Sequence, residues 1–213
     1  MSTQDWQQTP PPKQGMSGGT KLLLILGGLG GVLALVCCGS VIYLGVWAQS
    51  WVSVDPAEVR ERSGEIAQVD VPPEITPLFA FKMPMMFDVA RFSNGDSGAE
   101  VIIAQRGATF AQLPKADFAM QVEMQLSAQS APHTPGHPLE PVSVDPATTR
   151  QITPTVRGAA ATFDLSEGSK RGTDFWAVNG EFTGANGTVW LRMDLPKDQF
   201  TEEQIVDLLE GIQ

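Results

Sequence analysis

The chain has 213 residues, 42% of them hydrophobic, which is room for one ordinary domain with appendages and too irregular a pattern for a repeat array. Its formal charge is −10, and residues 48–213 alone hold 23 Asp and Glu against 12 Lys and Arg. An acidic surface of that kind repels phosphate backbones and excludes nucleic acid as a partner.

Residues 1–20, MSTQDWQQTPPPKQGMSGGT, are rich in Pro, Gln and Gly without an apolar period. They are expected to form a disordered cytoplasmic tail. The segment 21–48 is then read as a transmembrane signal anchor: no charged side chain lies between Lys21 and Asp55. Leu22–Ala48 as a helix would measure about 40 Å, enough to cross a hydrocarbon core of about 30 Å with tilt. Tyr43, Trp47 and Trp51 stand toward its far end, at headgroup level. Lys13 and Lys21 precede the span, whereas Arg60 and Arg62 are farther from it and interleaved with Glu58 and Glu61. The positive-inside rule therefore puts the N-terminus in the cytoplasm and the C-terminal domain outside the inner (plasma) membrane, periplasmic or extracellular.

The two cysteines, Cys37 and Cys38, are adjacent within this run, so the remainder of the chain has no thiol for a disulfide, a zinc site or a nucleophile. Leu35-Val36-Cys37-Cys38 resembles a bacterial lipoprotein box but has cysteine where the small residue belongs, and the apolar run continues past it. An uncleaved anchor is the expected form, with acylation of Cys37 or Cys38 as the alternative. Gly27 and Gly31 form a Gly-x-x-x-Gly pair through which two helices could pack as a homodimer.

Residues 49–68 are read as a stalk: Asp55 caps and Pro56 opens a short polar helix. An extracytoplasmic α+β domain is expected over 69–213. Strands are predicted at 78–83, 86–92 and 99–105, and the last two are joined by Ser93-Asn94-Gly95-Asp96-Ser97-Gly98. A helix is predicted at 114–129, with Phe118, Val122, Met124 and Leu126 on one face. After the proline-rich 131–141, strands are predicted near 149–157, 159–165, 174–183 and 187–194. The last two form a hairpin about Gly184-Ala185-Asn186-Gly187. Thr201-Glu202-Glu203-Gln204 reads as a capping box opening a final helix through Ile205, Leu208, Leu209 and Ile212. The hexapeptide Val52-Ser53-Val54-Asp55-Pro56-Ala57 recurs as Val142-Ser143-Val144-Asp145-Pro146-Ala147. This is read as two similar helix-entry or turn segments.

The expected fold class is α+β, an antiparallel sheet with packed helices, preceded by one transmembrane helix. The closing segment, FWAVNGEFTGANGTVWLRMDLP running into TEEQIVDLLEGI, resembles the end of domains of the PsbP/Mog1/DcrB type over roughly the last forty residues. That resemblance implies an accessory or binding part without catalysis.

Chemical motifs are few. Gly95-Asp96-Ser97-Gly98 resembles the nucleophile segment of trypsin-like proteases, but no histidine precedes Ser97, so a turn is the better reading. His133 and His137 flank Pro135 and Gly136, which prevent a helical ligand pair. Met83, Met85 and Met86 are a candidate Cu(I) site, because thioethers favour soft metals, against the ordinary use of methionine as core filler. Asp164, Glu167, Asp174 and Glu181 are candidate acid and base groups whose convergence spacing alone does not give. No dinucleotide fingerprint, P-loop or metalloprotease helix is present, and no catalytic residue or cofactor is assigned. The expected partners are the lipid bilayer, a second copy through the span and an unidentified protein. The alternative is a small extracytoplasmic enzyme or a methionine-based copper protein. Replacing both Gly27 and Gly31 by isoleucine is expected to abolish self-association of the full chain in detergent; unchanged association in sedimentation equilibrium would remove the motif from consideration.

Overall fold

The computed structural model describes residues 51–129 and 142–213, within a unit spanning Ser50–Gln213. The tail, the apolar run with Gly27, Gly31, Cys37 and Cys38, and the loop with His133 and His137 lie outside the described residues. No described helix is long and apolar enough to cross a membrane.

The elements in chain order are β1 (Val52–Ser53), α1 (Pro56–Ile66), β2 (Thr76–Met83), β3 (Phe87–Ser93), β4 (Glu100–Arg106) and α2 (Lys115–Gln129). They continue as β5 (Ser143–Val144), β6 (Arg150–Ile152), β7 (Thr155–Val156), β8 (Ala159–Ala160), β9 (Phe163–Lys170), β10 (Thr173–Gly184), β11 (Gly187–Pro196) and α3 (Glu202–Glu210). The main sheet runs β1-β2-β3-β4-β11-β10-β9-β5, with β6 also on β9, and every pairing is antiparallel. The α+β class with an antiparallel sheet is therefore observed. Two meanders, β2-β3-β4 and β9-β10-β11, meet where β4 pairs with β11.

Period-two alternation divides the sheet into two buried faces. On β4, Val101 and Ile103 point to one side, Ile102 and Ala104 to the other; on β11, Val189, Leu191 and Met193 oppose Trp190. The first face is covered by α1 through Val59 and Ile66 and by α3 through Ile205 and Leu209. The second is covered by α2 through Phe118, Val122 and Leu126, which seat among Phe79, Phe87, Ile102 and Trp190. Burial on both faces explains why β4 reads as the nearly continuous apolar run VIIA.

Two expectations change. The helix α1 is no separate stalk, because Val59 and Ile66 belong to the same core as Ile103 and Leu191; its polarity reflects the solvent face of a helix that packs by a narrow stripe. Met124 does not join the buried face of α2 and is 57% exposed, since Phe118, Val122 and Leu126 follow the i, i+4, i+8 line and Met124 falls off it.

The turn chemistry reads through directly. Asp96 and Ser97 donate their backbone N–H groups to Asn94 Oδ1 at 3.0 and 3.2 Å, and Gly98 takes the left-handed conformation at φ 73°. The capping box at Thr201 and Gln204 is formed in both directions.

The repeated hexapeptide has one structural use in two places. In each copy two residues make an edge strand, β1 on β2 and β5 on β9, at opposite ends of the sheet. In each, the aspartate then caps a proline-led helical turn: Asp55 accepts from Ala57 and Glu58 N–H, Asp145 from Ala147 N–H. The strand order is consequently palindromic about β4 and β11, although the helices are not, because α2 and α3 come after equivalent strands but pack onto opposite faces. Asp55→Ala is expected to cost about 1 kcal/mol in equilibrium denaturant unfolding, and Asp145→Ala less, because the second aspartate caps only a three-residue 3-10 turn (Pro146–Thr148) with a single bond. Equal losses would contradict that difference.

Candidate functional site

The central strands carry charges where a core would ordinarily be apolar. Arg91, Glu100, Arg192 and Asp194 are all buried, on the α2 side of the sheet. Glu100 and Asp194 lie directly opposite each other across β4 and β11, each 1% exposed. Such carboxylates persist only if cations answer them. Arg91 Nε donates to Glu100 at 2.5 Å, and Arg192 grips Asp194 with Nη2 at 2.6 Å and Nε at 3.3 Å. The other arm of Arg192 reaches Glu123 of α2 at 2.6 Å, so one guanidinium ties the helix to the sheet. Burial alone would lower the Arg192 pKa, but the adjacent Asp194 and Glu123 outweigh it and hold the group above its ordinary value.

Beside α2 this face opens into a cleft of about 310 Å³, lined by Glu123, Asp164, Ser166, Asn179, Arg192 and Asp194, with Val142 and Val144 also in its lining. Ala177 keeps the floor low. Asp164 pairs with Lys115 at 2.9 Å, Asn179 Oδ1 accepts from Trp190 Nε1 at 2.8 Å, and Ser166 Oγ bonds Thr149 Oγ1 at 2.8 Å. Glu123 and Asp164 stand about 40% exposed on the rim, each paired with one cation. A wider concavity of about 570 Å³ beside the β7-β8 hairpin is lined mainly by Ala, Thr and Gly, with Arg157 and Glu181 as its charged groups. The smaller cleft holds more converging polar chemistry and is the better candidate.

The carboxylates singled out from sequence separate. Asp164 and Glu181 share the α2 side, but Glu181 is bound to Arg106, whose guanidinium also lies 4.9 Å from the Phe118 ring centre. Glu167 pairs with Lys197 on the opposite side, where Lys197 Nζ lies 4.1 Å from the Trp176 ring centre. Asp174 contributes its backbone carbonyl to Lys197 N–H. Ser97 sits in its turn, accepting from Ala99 N–H. Asp164, Glu167 and Glu181 are thus each engaged by a cation, and no acid and nucleophile are brought together among these residues.

The methionines have divided destinations. Met83 and Met86 pack against the aromatic cluster of Phe81, Phe87 and Phe118, while Met85 is 73% exposed. Met85 adopts φ 65°, unfavourable for a residue with a Cβ, and is held there because Thr109 N–H donates to its carbonyl and Gly107 N–H to that of Met86. A Cβ on Gly107 would lie 2.5 Å from the Met85 oxygen, so glycine is required for this approach. Nearby, burial raises the Asp88 carboxyl above its usual range against the opposing pull of Lys82.

Sequence reading missed Arg192, Asp194, Glu123 and Glu100. The available signal was the interruption of an otherwise apolar strand by charge at alternate positions in TVWLRMDLP. Arg192→Ala strands the buried Asp194 and is expected to cost about 3–5 kcal/mol in denaturant unfolding, whereas replacing Arg192 and Asp194 together by Met and Leu is expected to cost less. A double variant worse than the single one would contradict this account.

A scan against protein-family models, a search of curated proteins and a search of solved structures each find no match to the chain, and the cleft is read from its own geometry and chemistry.

Proposed function

We propose that the chain is a membrane-anchored extracytoplasmic binding or accessory module, with the cleft between α2 and β9-β10 as its recognition surface. The observation that carries this reading is that every charged group lining the cleft is already committed to an ion pair, leaving a shaped polar surface and no dyad poised for proton transfer. The lining carries three carboxylates, Glu123, Asp164 and Asp194, against Arg192, with Lys115 tied to Asp164. That excess favours a cationic group of a protein partner, and opposes a phosphate or carboxylate ligand. The anchor is the uncharged run Leu22–Ala48, with the N-terminus in the cytoplasm.

Intact mass of the membrane-extracted protein, with protease digestion of whole spheroplasts, tests the placement. A full-length mass and a digestible C-terminal domain are expected; a mass beginning at Cys37 or Cys38 with added acyl chains would replace the anchor with a lipid tether. A photo-crosslinking residue at Val144, in the cleft lining, is expected to give a discrete protein adduct in cells, and one at Glu203 of α3 none. Absence of any protein adduct at Val144 would remove the binding role.

A further inference from the structure

The two sides of the sheet differ in charge more than an acidic domain requires. The helices on the first face are densely charged: α1 carries Glu58, Arg60, Glu61, Arg62 and Glu65, and α3 carries Glu202, Glu203, Asp207 and Glu210. On the other side, the whole stretch 107–127 has Lys115, Asp117 and Glu123 as its charged groups. Lys115 and Glu123 are turned back to Asp164 and Arg192 on the sheet. Asp117 therefore remains as the charge on the outward surface of α2. That surface instead presents Met120 and Met124, one helical turn apart and each 57% exposed. Val52, at the β1 edge of the sheet, is also exposed, and alternation puts it on this same side, opposite Phe81.

With those charges drawn inward to their partners, Met120 and Met124 leave an exposed apolar spot on α2 in a chain of net charge −10. The sequence indicates what covers it. The uncharged run ends at Ala48, and β1 begins at Val52. Four residue steps, at about 3.5 Å each, span no more than about 14 Å. Trp51, between them, packs against the same α2-side cluster as Phe81 and Phe118. The first described residue of the domain is thus seated on the α2 side. Flexible, polarizable methionine side chains suit an irregular surface such as a headgroup layer. An acidic domain approaches neutral lipid at less electrostatic cost than anionic lipid.

Resting on the anchor reading above, we infer that the Met120–Met124 face of α2 lies against the zwitterionic headgroup layer of the membrane that holds the chain. The full chain, with Cys37 and Cys38 changed to serine, is reconstituted in phosphatidylcholine vesicles and spin-labelled through Met120→Cys, Met124→Cys or Glu203→Cys in turn. Relaxation by oxygen, which concentrates in lipid, is compared with relaxation by a water-soluble nickel chelate. The expected result is oxygen exceeding nickel at 120 and 124, with the reverse at 203. Nickel dominating at all three positions, in a chain that stays with the vesicles through an alkaline carbonate wash, overturns the inference and leaves the anchor standing. A chain that washes off the vesicles overturns the anchor and the inference with it. Labels at 120 and 124 shielded from both agents and dipolar-broadened identify a second copy as the occupant, which also overturns it.

Discussion

The pairing of β4 with β11 is the constraint on which the rest of the domain depends. It joins two four-stranded halves, β1-β2-β3-β4 and β11-β10-β9-β5, into one sheet. Because these strands are central and covered on both faces, their side chains must satisfy two cores at once: Val101, Ile103, Leu191 and Met193 serve α1 and α3, while Ile102, Ala104 and Trp190 serve α2. Along the same ladder Glu100 faces Asp194, so the join also concentrates charge. Arg91 and Arg192 are what make that tolerable, and Arg192 extends the arrangement to α2 through Glu123. The cleft is lined in part by this polar cluster, Glu123 of α2 included.

Buried ion pairs of this kind do not contribute much net stability over an apolar replacement, since desolvation offsets most of the attraction. Their consequence is directional. A guanidinium held by two carboxylates on different elements ties α2 to β11 at one point, beside the packing of Phe118, Val122 and Leu126. The polar margin of the cleft and the methionine surface of α2 are then two sides of one placement: Lys115 and Glu123 can turn inward only because Asp164 and Arg192 are there to receive them. Removing charge from the outer surface of the helix and building a polar cleft under its flank are the same event.

The hexapeptide repeat illustrates how a local rule is reused. Asp before Pro sets an N-cap and a first helical residue in both copies, and the preceding Val-Ser-Val supplies two strand residues in each, Val52–Ser53 and Ser143–Val144. The first copy leads into an eleven-residue helix with Val59 and Ile66 to bury; the second stops after a 3-10 turn, where Thr149 and Arg150 lead straight into β6. The same start gives different lengths because only the first copy is succeeded by residues that carry an apolar stripe at helical spacing.

What the sequence determined by itself was the local grammar: the Asn94 turn, the Thr201 capping box, the two-residue loop at Ala185-Asn186, the strands β2, β3, β4, β10 and β11, and the helix α2. Each depends on neighbours within a few positions, and periodicity or capping chemistry carries that information. Edge strands of two residues were not legible, because β1 and β5 exist only by pairing with strands far along the chain. Nor could spacing show that α1 belongs to the core, or that Met124 faces out while Val122 faces in. The grouping of Glu123, Asp164, Arg192 and Asp194 was decided by tertiary structure alone. Those residues come from α2, β9 and β11, and only the crossing of the helix over an antiparallel sheet brings their charges within ion-pairing range.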